Sequence, residues 1–150
     1  MIDLWPNVWA AWQTRGLAYQ QSGQWAKAAA DFTRAIELAP DKADSWAARG
    51  YAHLHLNQME KAITDYSQAV KISPNEVTSW NNRGGARLRL GRVDAALADF
   101  TVALELDPKY ALAYRNALSI DALGSPLTGA SFGVGGADAT RHRTHRTANP

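Results

Sequence analysis

The chain has 150 residues, 46% hydrophobic, and a net charge of +2, a composition suited to a folded protein, with no apolar run near the ~20 residues of a membrane span. Residues 1–123 carry 13 Lys/Arg against 13 Asp/Glu and the last 27 carry three Arg against one Asp, so there is no broad basic face to serve as a nucleic-acid footprint. Cysteine is absent, which excludes disulfides and thiolate chemistry and fits either redox compartment.

The opening Met1-Ile-Asp-Leu-Trp has neither a basic nor an apolar leader region, so no secretory signal is expected and the cytoplasm is the default location. Ile2, Leu4 and Pro6 lie 34 residues before Ile36, Leu38 and Pro40. Residues 1–8 therefore read as the end of a partial preceding unit or as a lead-in. The same period of 34 links Trp12, Trp46 and Trp80, then Arg15, Arg49 and Arg83, then Gly16, Gly50 and Gly84. It continues through Ala28, Ala62 and Ala96, through Phe32, Tyr66 and Phe100, and through Pro40, Pro74 and Pro108. Columns of aromatic, small and proline residues at a fixed period of this size mark a repeat array, in which each unit packs on its neighbours.

Each unit reads as two helices. Trp25, Ala28, Ala29, Phe32, Ala35 and Ile36 recur at spacings of three and four, the stripe of an amphipathic second helix, and Val93, Ala96, Leu97, Phe100, Ala103 and Leu104 repeat it. Prolines at 40, 74 and 108 stop these helices, and turns around Gly23, Asn57 and Gly91 separate them from the first helices. Asp41 and Asn75 are candidate N-caps. The glycines at 16, 50 and 84 should permit close helix approach. The tryptophans, each the first large apolar residue of its helix, are expected in the core, where a Trp→Ala change would cost about 3–5 kcal/mol. Asp31, Asp65 and Asp99 share the period of Arg15, Arg49 and Arg83, and pairing as structural clasps is expected.

With Trp12, Gly16, Tyr19, Ala28, Phe32 and Pro40 in these positions the chain resembles the tetratricopeptide repeat (TPR) family. Arg15, Arg49 and Arg83 replace the family's leucine, and His53 and Arg87 its tyrosine. The resemblance implies an all-α fold, a right-handed α-solenoid of three helix-turn-helix repeats at 9–42, 43–76 and 77–110, closed by a capping helix at 111–123 with Tyr114 in the tryptophan column.

It also implies a binding groove lined by the first helices. Positions 2, 5, 9 and 12 of each unit share a helical face, which selects Gln13, Leu17, Gln20, Asp44, Tyr51, Leu54, Thr78, Asn81, Leu88, Arg115 and Ser119, with His55, Arg89, Asn82 and Asn116 at its edge. Such a face suits an extended peptide held by side-chain amides, since asparagine both donates and accepts. Family members that clamp a chaperone's C-terminal carboxylate carry Lys, Asn, Asn, Lys and Arg where this chain has Gln13, Leu17, Ala48, Thr78 and Asn82. A shift by one repeat gives Ala47, Tyr51, Asn82, Leu112 and Asn116, so no carboxylate clamp is expected.

Residues 124–150 lack periodicity and are rich in Gly, Ser, Thr and Ala, so a disordered tail is expected. Its glycine cluster lacks the Gly-Lys-Ser/Thr of a phosphate loop, and His142 and His145 with three arginines make at most a weak metal or phosphate site. The expected function is a protein–protein interaction module, a scaffold or adaptor binding a partner's peptide or helix. The alternatives are a detached regulatory segment of a larger enzyme or array, and self-association through exposed repeat ends. Enzymatic activity, a cofactor, a metal, nucleic acid and membrane are not expected.

Overall fold

The computed structural model describes residues 2–120 and 133–136. Seven helices follow in order: α1 Trp9–Gln21, α2 Trp25–Leu38, α3 Ala43–His55, α4 Met59–Ile72, α5 Val77–Arg89, α6 Val93–Leu106 and α7 Ala111–Leu118. Within each hairpin the turn residue takes the left-handed conformation, Gly23 at φ 73°, Asn57 at φ 57° and Gly91 at φ 73°. The next residue's N–H then reaches back to close the helix end, with Gln24 to the Tyr19 carbonyl at 2.8 Å and Gln58 to that of His53 at 2.8 Å. The second helices end where the residue before proline is forced into extended backbone, at Ala39, Ser73 and Asp107 (φ −145°, −128° and −142°).

Consecutive helices pack against one another, and α1, α3, α5 and α7 also approach each other, whereas α2, α4 and α6 do not among the described residues. The first helices therefore line the inner, concave side of a curved stack. The core lies between hairpins: Phe32 packs with Ala28, Ala48 and Ala52, and Tyr66 with Leu54, Met59, Ala62 and Ala86. Phe100 closes the series with Leu88 and Ala96. A Cβ on Gly16 or Gly84 would stand 2.6 Å from the Phe32 or Phe100 ring, and one on Gly50 would stand 3.1 Å from Tyr66. Glycine is what lets the two helices of a hairpin close onto the ring.

The arginine and aspartate columns meet within each repeat. Arg15 Nε and Nη2 donate to Asp31 at 2.7 and 2.8 Å, Arg49 to Asp65 at 2.9 and 2.8 Å, and Arg83 to Asp99 at 3.0 and 2.8 Å. The hydrogen bond to Asp31 holds the Arg15 guanidinium above its ordinary value, against some desolvation. Arg49 and Arg83 also donate backwards to Thr33 and Ser67 of the preceding repeat, both at 3.1 Å. The clasp thus joins neighbouring units as well as paired helices. The residues in the tyrosine column add to it, Arg87 at 2.9 Å from Asp99 and His53 at 3.6 Å from Asp65.

Three expectations need correction. Trp12, Trp46 and Trp80 are half-buried and stand outside the core clusters. Each donates its indole N–H to a proline carbonyl six residues back, Pro6, Pro40 or Pro74, at 2.8–2.9 Å. The clasp arginine lies over the ring at 5.2, 5.1 and 4.7 Å from the centroid. A tryptophan with a hydrogen bond to make at the inter-repeat turn is held at the boundary, apolar on one side and polar on the other. The N-caps fall one residue later than expected, at Lys42 and Glu76, and only Glu76 caps through its side chain, accepting from Thr78 N and Ser79 N at 3.1 and 2.6 Å. Finally, α7 stops at Leu118 rather than 123, where Ser119 turns back to donate its hydroxyl to the Asn116 carbonyl at 2.6 Å.

Candidate functional site

On the inner face one column breaks the repeat. The position held by Thr14 and Ala48 in the first two units becomes Asn82 and Asn116 in the third unit and the cap. Both are 1% exposed, and neighbouring Asn81 is fully buried. An amide so enclosed must have its donors and acceptor met. The partner is the backbone of the segment Gly133–Gly136, which lies in the groove.

Asn116 donates to the Gly133 carbonyl at 2.9 Å and accepts from the Gly133 N–H at 3.0 Å. Asn82 treats Gly135 the same way, at 2.7 and 2.9 Å. One amide per repeat thus grips every second residue of the segment. This two-way pairing also fixes which amide atom is oxygen, because the reversed amide would set donor against donor. Asn81 joins the grips: it accepts from Asn116 at 2.9 Å and donates to Asn82 Oδ1 at 3.1 Å and to the Gly133 carbonyl at 3.2 Å. The second N–H of Asn82 donates to the Tyr66 hydroxyl at 3.2 Å. Burial pushes that phenol well above its ordinary value, so it stays protonated.

Between the two gripped glycines, Val134 turns its side chain the other way, onto the core cluster of Leu54, Met59, Ala62, Tyr66 and Ala86, with Tyr51 and Ala47 at its rim. Alternate residues of an extended chain point to opposite sides, so one residue is read by its backbone and the next by its side chain. Beyond Gly136 the groove opens into a cleft of about 330 Å³ bounded by Trp9, Gln13, Leu17, Asp44, Thr78 and Ser79. The Ser79 hydroxyl there is buried without a hydrogen-bond partner among the described residues.

Family models for the tetratricopeptide repeat match residues 14–77 and 77–110. The chain belongs to the tetratricopeptide repeat family. Among solved structures, the Arabidopsis OM64 TPR domain is 33% identical, with a TM-score of 0.69 over 71% of this chain and 88% of that one. The second TPR domain of human RPAP3, solved in complex with the HSP70 peptide SGPTIEEVD, is 28% identical, with a TM-score of 0.70 over 71% and 89%. MamA, at 17% identity, shares the fold with a TM-score of 0.75 over 77% of this chain and 68% of its own. No curated protein matches the chain.

The TPR frame brings together only some of the groove residues expected from helical spacing. Asn81, Asn82, Asn116 and Tyr51 surround the segment as described. Thr78 and Arg115 flank Gly135 and Gly133. Gln13 and Asp44 border the open cleft, where Gln13 Oε1 accepts from Ser45 at 2.9 Å. Leu54 and Leu88 are core residues at 4% and 1% exposure; Leu54 belongs to the cluster under Val134, whereas Leu88 packs with Ala96 and Phe100 away from the segment's contacts. His55 stacks on Trp25 at 3.8 Å with the Tyr51 ring edge-on at 4.6 Å. Partial burial, with Arg89 adding, lowers its pKa, and burial raises that of Tyr51, so both are neutral aromatic packing near pH 7. Gln20 Oε1 is buried without a hydrogen-bond partner among the described residues, Arg89 reaches Met59 Sδ at 4.0 Å, and Ser119 serves the end of α7. The hydrogen bonds to the segment among the described residues come from Asn81, Asn82 and Asn116 and not from these three.

The helical pattern overlooked Tyr66, a core ring whose hydroxyl nonetheless orients Asn82, and Tyr110, whose hydroxyl borders Gly135. Of the stretch 124–150, expected to be disordered, only Gly133–Gly136 is among the described residues. The remaining residues, with His142, His145 and the tail arginines, lie outside them.

Proposed function

We propose that this TPR protein is an interaction module whose groove binds an extended peptide segment by its backbone, through Asn82 and Asn116, with one aliphatic side chain seated over Leu54, Tyr66 and Ala86. The observation that carries this reading is the pair of two-way amide grips spaced one repeat apart on the helices and two residues apart along the segment. A site that pairs with main chain and offers a pocket for alternate side chains takes its affinity from the former and its selectivity from the latter. The related RPAP3 domain, solved in complex with a peptide, supports peptide binding in general. The residues facing the ligand do not support a carboxylate-terminated one, since Gln13, Leu17, Ala48, Thr78 and Asn82 supply no cation where such a clamp needs it. Asn81 organises the grips, Thr78, Arg115 and Tyr51 shape the walls, and Gln13 and Asp44 extend the site into the open cleft.

Selection of a displayed random-peptide library on the full-length chain carrying Gly135→Val, so that its own segment does not compete for the groove, tests this reading. Selected peptides should lose at least about tenfold in affinity when Asn82 and Asn116 are both changed to alanine, the loss of several hydrogen bonds at roughly 0.5–1.5 kcal/mol each. Peptides that bind the double variant as tightly as the parent would overturn it.

A further inference from the structure

The same segment tells which peptides the groove accepts. A side chain at Gly135 would place its Cβ 2.6 Å from Thr78 Cγ2 and 2.6 Å from the Tyr110 hydroxyl. At Gly133 it would collide with Leu112 and the end of the Arg115 side chain, whereas at Gly136 there is open space. Neither Gly133 nor Gly135 has a positive φ, so glycine is needed there for room and not for backbone conformation. The wall beside Gly135 is a stiff β-branched threonine. The walls beside Gly133 are the far ends of the Arg115 and Leu112 side chains, both of which can change rotamer. The demand for glycine is therefore strict at the first site and softer at the second, with an aliphatic side chain required between them.

We infer that the groove selects a Gly–aliphatic–Gly step in an extended chain, and that Gly133-Val134-Gly135 of this same chain is the ligand it holds at rest, which any partner must displace. The inference rests on the groove reading given above. Thirteen residues lead from Ile120 to Gly133, a reach of about 40 Å when extended, and α7 itself supplies Asn116, so the segment can enter its own groove. A short tether holds a segment at millimolar effective concentration. An added peptide of similar intrinsic affinity then competes against a ligand already present.

The test uses a fluorescein-labelled peptide of residues 130–138 as probe, with anisotropy as the readout, on three full-length chains: the parent, Gly135→Val and Gly136→Val. Valine at 135 should expel the internal segment, and the probe should bind that chain at least about tenfold tighter than the parent. Gly136→Val should behave like the parent, because its side chain meets nothing. A probe carrying the Gly135→Val change should fail to bind the emptied groove. Equal probe affinity for the parent and Gly135→Val, still dependent on Asn82 and Asn116, would overturn the self-ligand and leave the groove reading standing. A probe that binds none of the chains, or binds without need of the two asparagines, would overturn both. A concentration-dependent dimer of the parent that Gly135→Val abolishes would place the segment in a second copy's groove and overturn its assignment to the same chain.

Discussion

The arginine–aspartate clasps and the asparagine grips are both rows of hydrogen bonds running along the stack, and they differ in one respect. The clasps recur in every repeat with nearly the same geometry, from Arg15–Asp31 to Arg83–Asp99, and both partners are fixed parts of the helices. The grips occur only where Thr14 and Ala48 give way to Asn82 and Asn116, and they close on backbone from outside the repeats. Periodic chemistry holds the solenoid together. The asparagines that depart from the period face the segment lying in the groove.

The clasp side of this comparison is sharpened by depth. Asp99 is 2% exposed and faces both Arg83 and Arg87, whereas the side chain of Arg15, opposite Asp31, is 45% exposed. Asp99→Ala should destabilise by about 3–5 kcal/mol, since it strands two guanidiniums in a largely buried site. Asp31→Ala should cost only about 1 kcal/mol. Equal urea-denaturation losses would break the claim that the clasp, more deeply buried toward the C-terminal repeats, is worth more there.

The glycine column supplies the next largest effect. Gly84→Ala drives a methyl to 2.6 Å from the Phe100 ring and should cost about 1–3 kcal/mol. Gly50→Ala, at 3.1 Å from Tyr66, should come close to neutral, because alanine's helix advantage of about 1 kcal/mol offsets a small shift of the ring. Melting temperatures of the two variants in the opposite order would show that close approach is not what these glycines serve.

Trp80→Ala should cost about 2 kcal/mol, less than a core aromatic, from one hydrogen bond to Pro74 and one cation–π contact with Arg83. A loss matching that of Phe100→Ala would return tryptophan to the core.

Protonation gives the smallest effect. Burial lowers the pKa of His53 below 6.5, although Gln58 and Asp65 oppose the shift, and burial lowers that of His55 as well. The unfolded chain therefore takes up more protons as pH falls through 6.5, so the stability tied to these groups is present above that pH and lost below it. The melting temperature should drop slightly between pH ~7.5 and ~5.5, and less so in His55→Gln.

Most of the scaffold was legible because it repeats. The spacing of Gly16, Phe32 and Pro40 across three units specifies hairpins, turns and clasps before any coordinate is known. Tryptophan depth was not legible: spacing tells which side of a helix a residue occupies, not how far in, and the indole N–H found a carbonyl at the turn instead. At α5 the N-cap slipped by one residue because the longer Glu76 side chain reaches two helix N–H groups although Asn75 beside it had the better propensity; at α3 Lys42 takes the cap position with no side-chain bond. The asparagines could be picked out by their donor–acceptor chemistry, but their ligand could not. An extended segment held by other residues' side chains has no internal period, and Gly133-Val134-Gly135 has the composition of a linker.

Nuclear Overhauser contacts of the Val134 methyl groups in the full chain test the account most directly. We predict cross-peaks to the Tyr66 ring and the Ala86 methyl, together with Asn82 and Asn116 side-chain amide signals displaced from their free positions. Val134 methyl shifts at random-coil values with no such cross-peaks would contradict the account that the inner face holds the chain's own Gly133–Gly135 backbone.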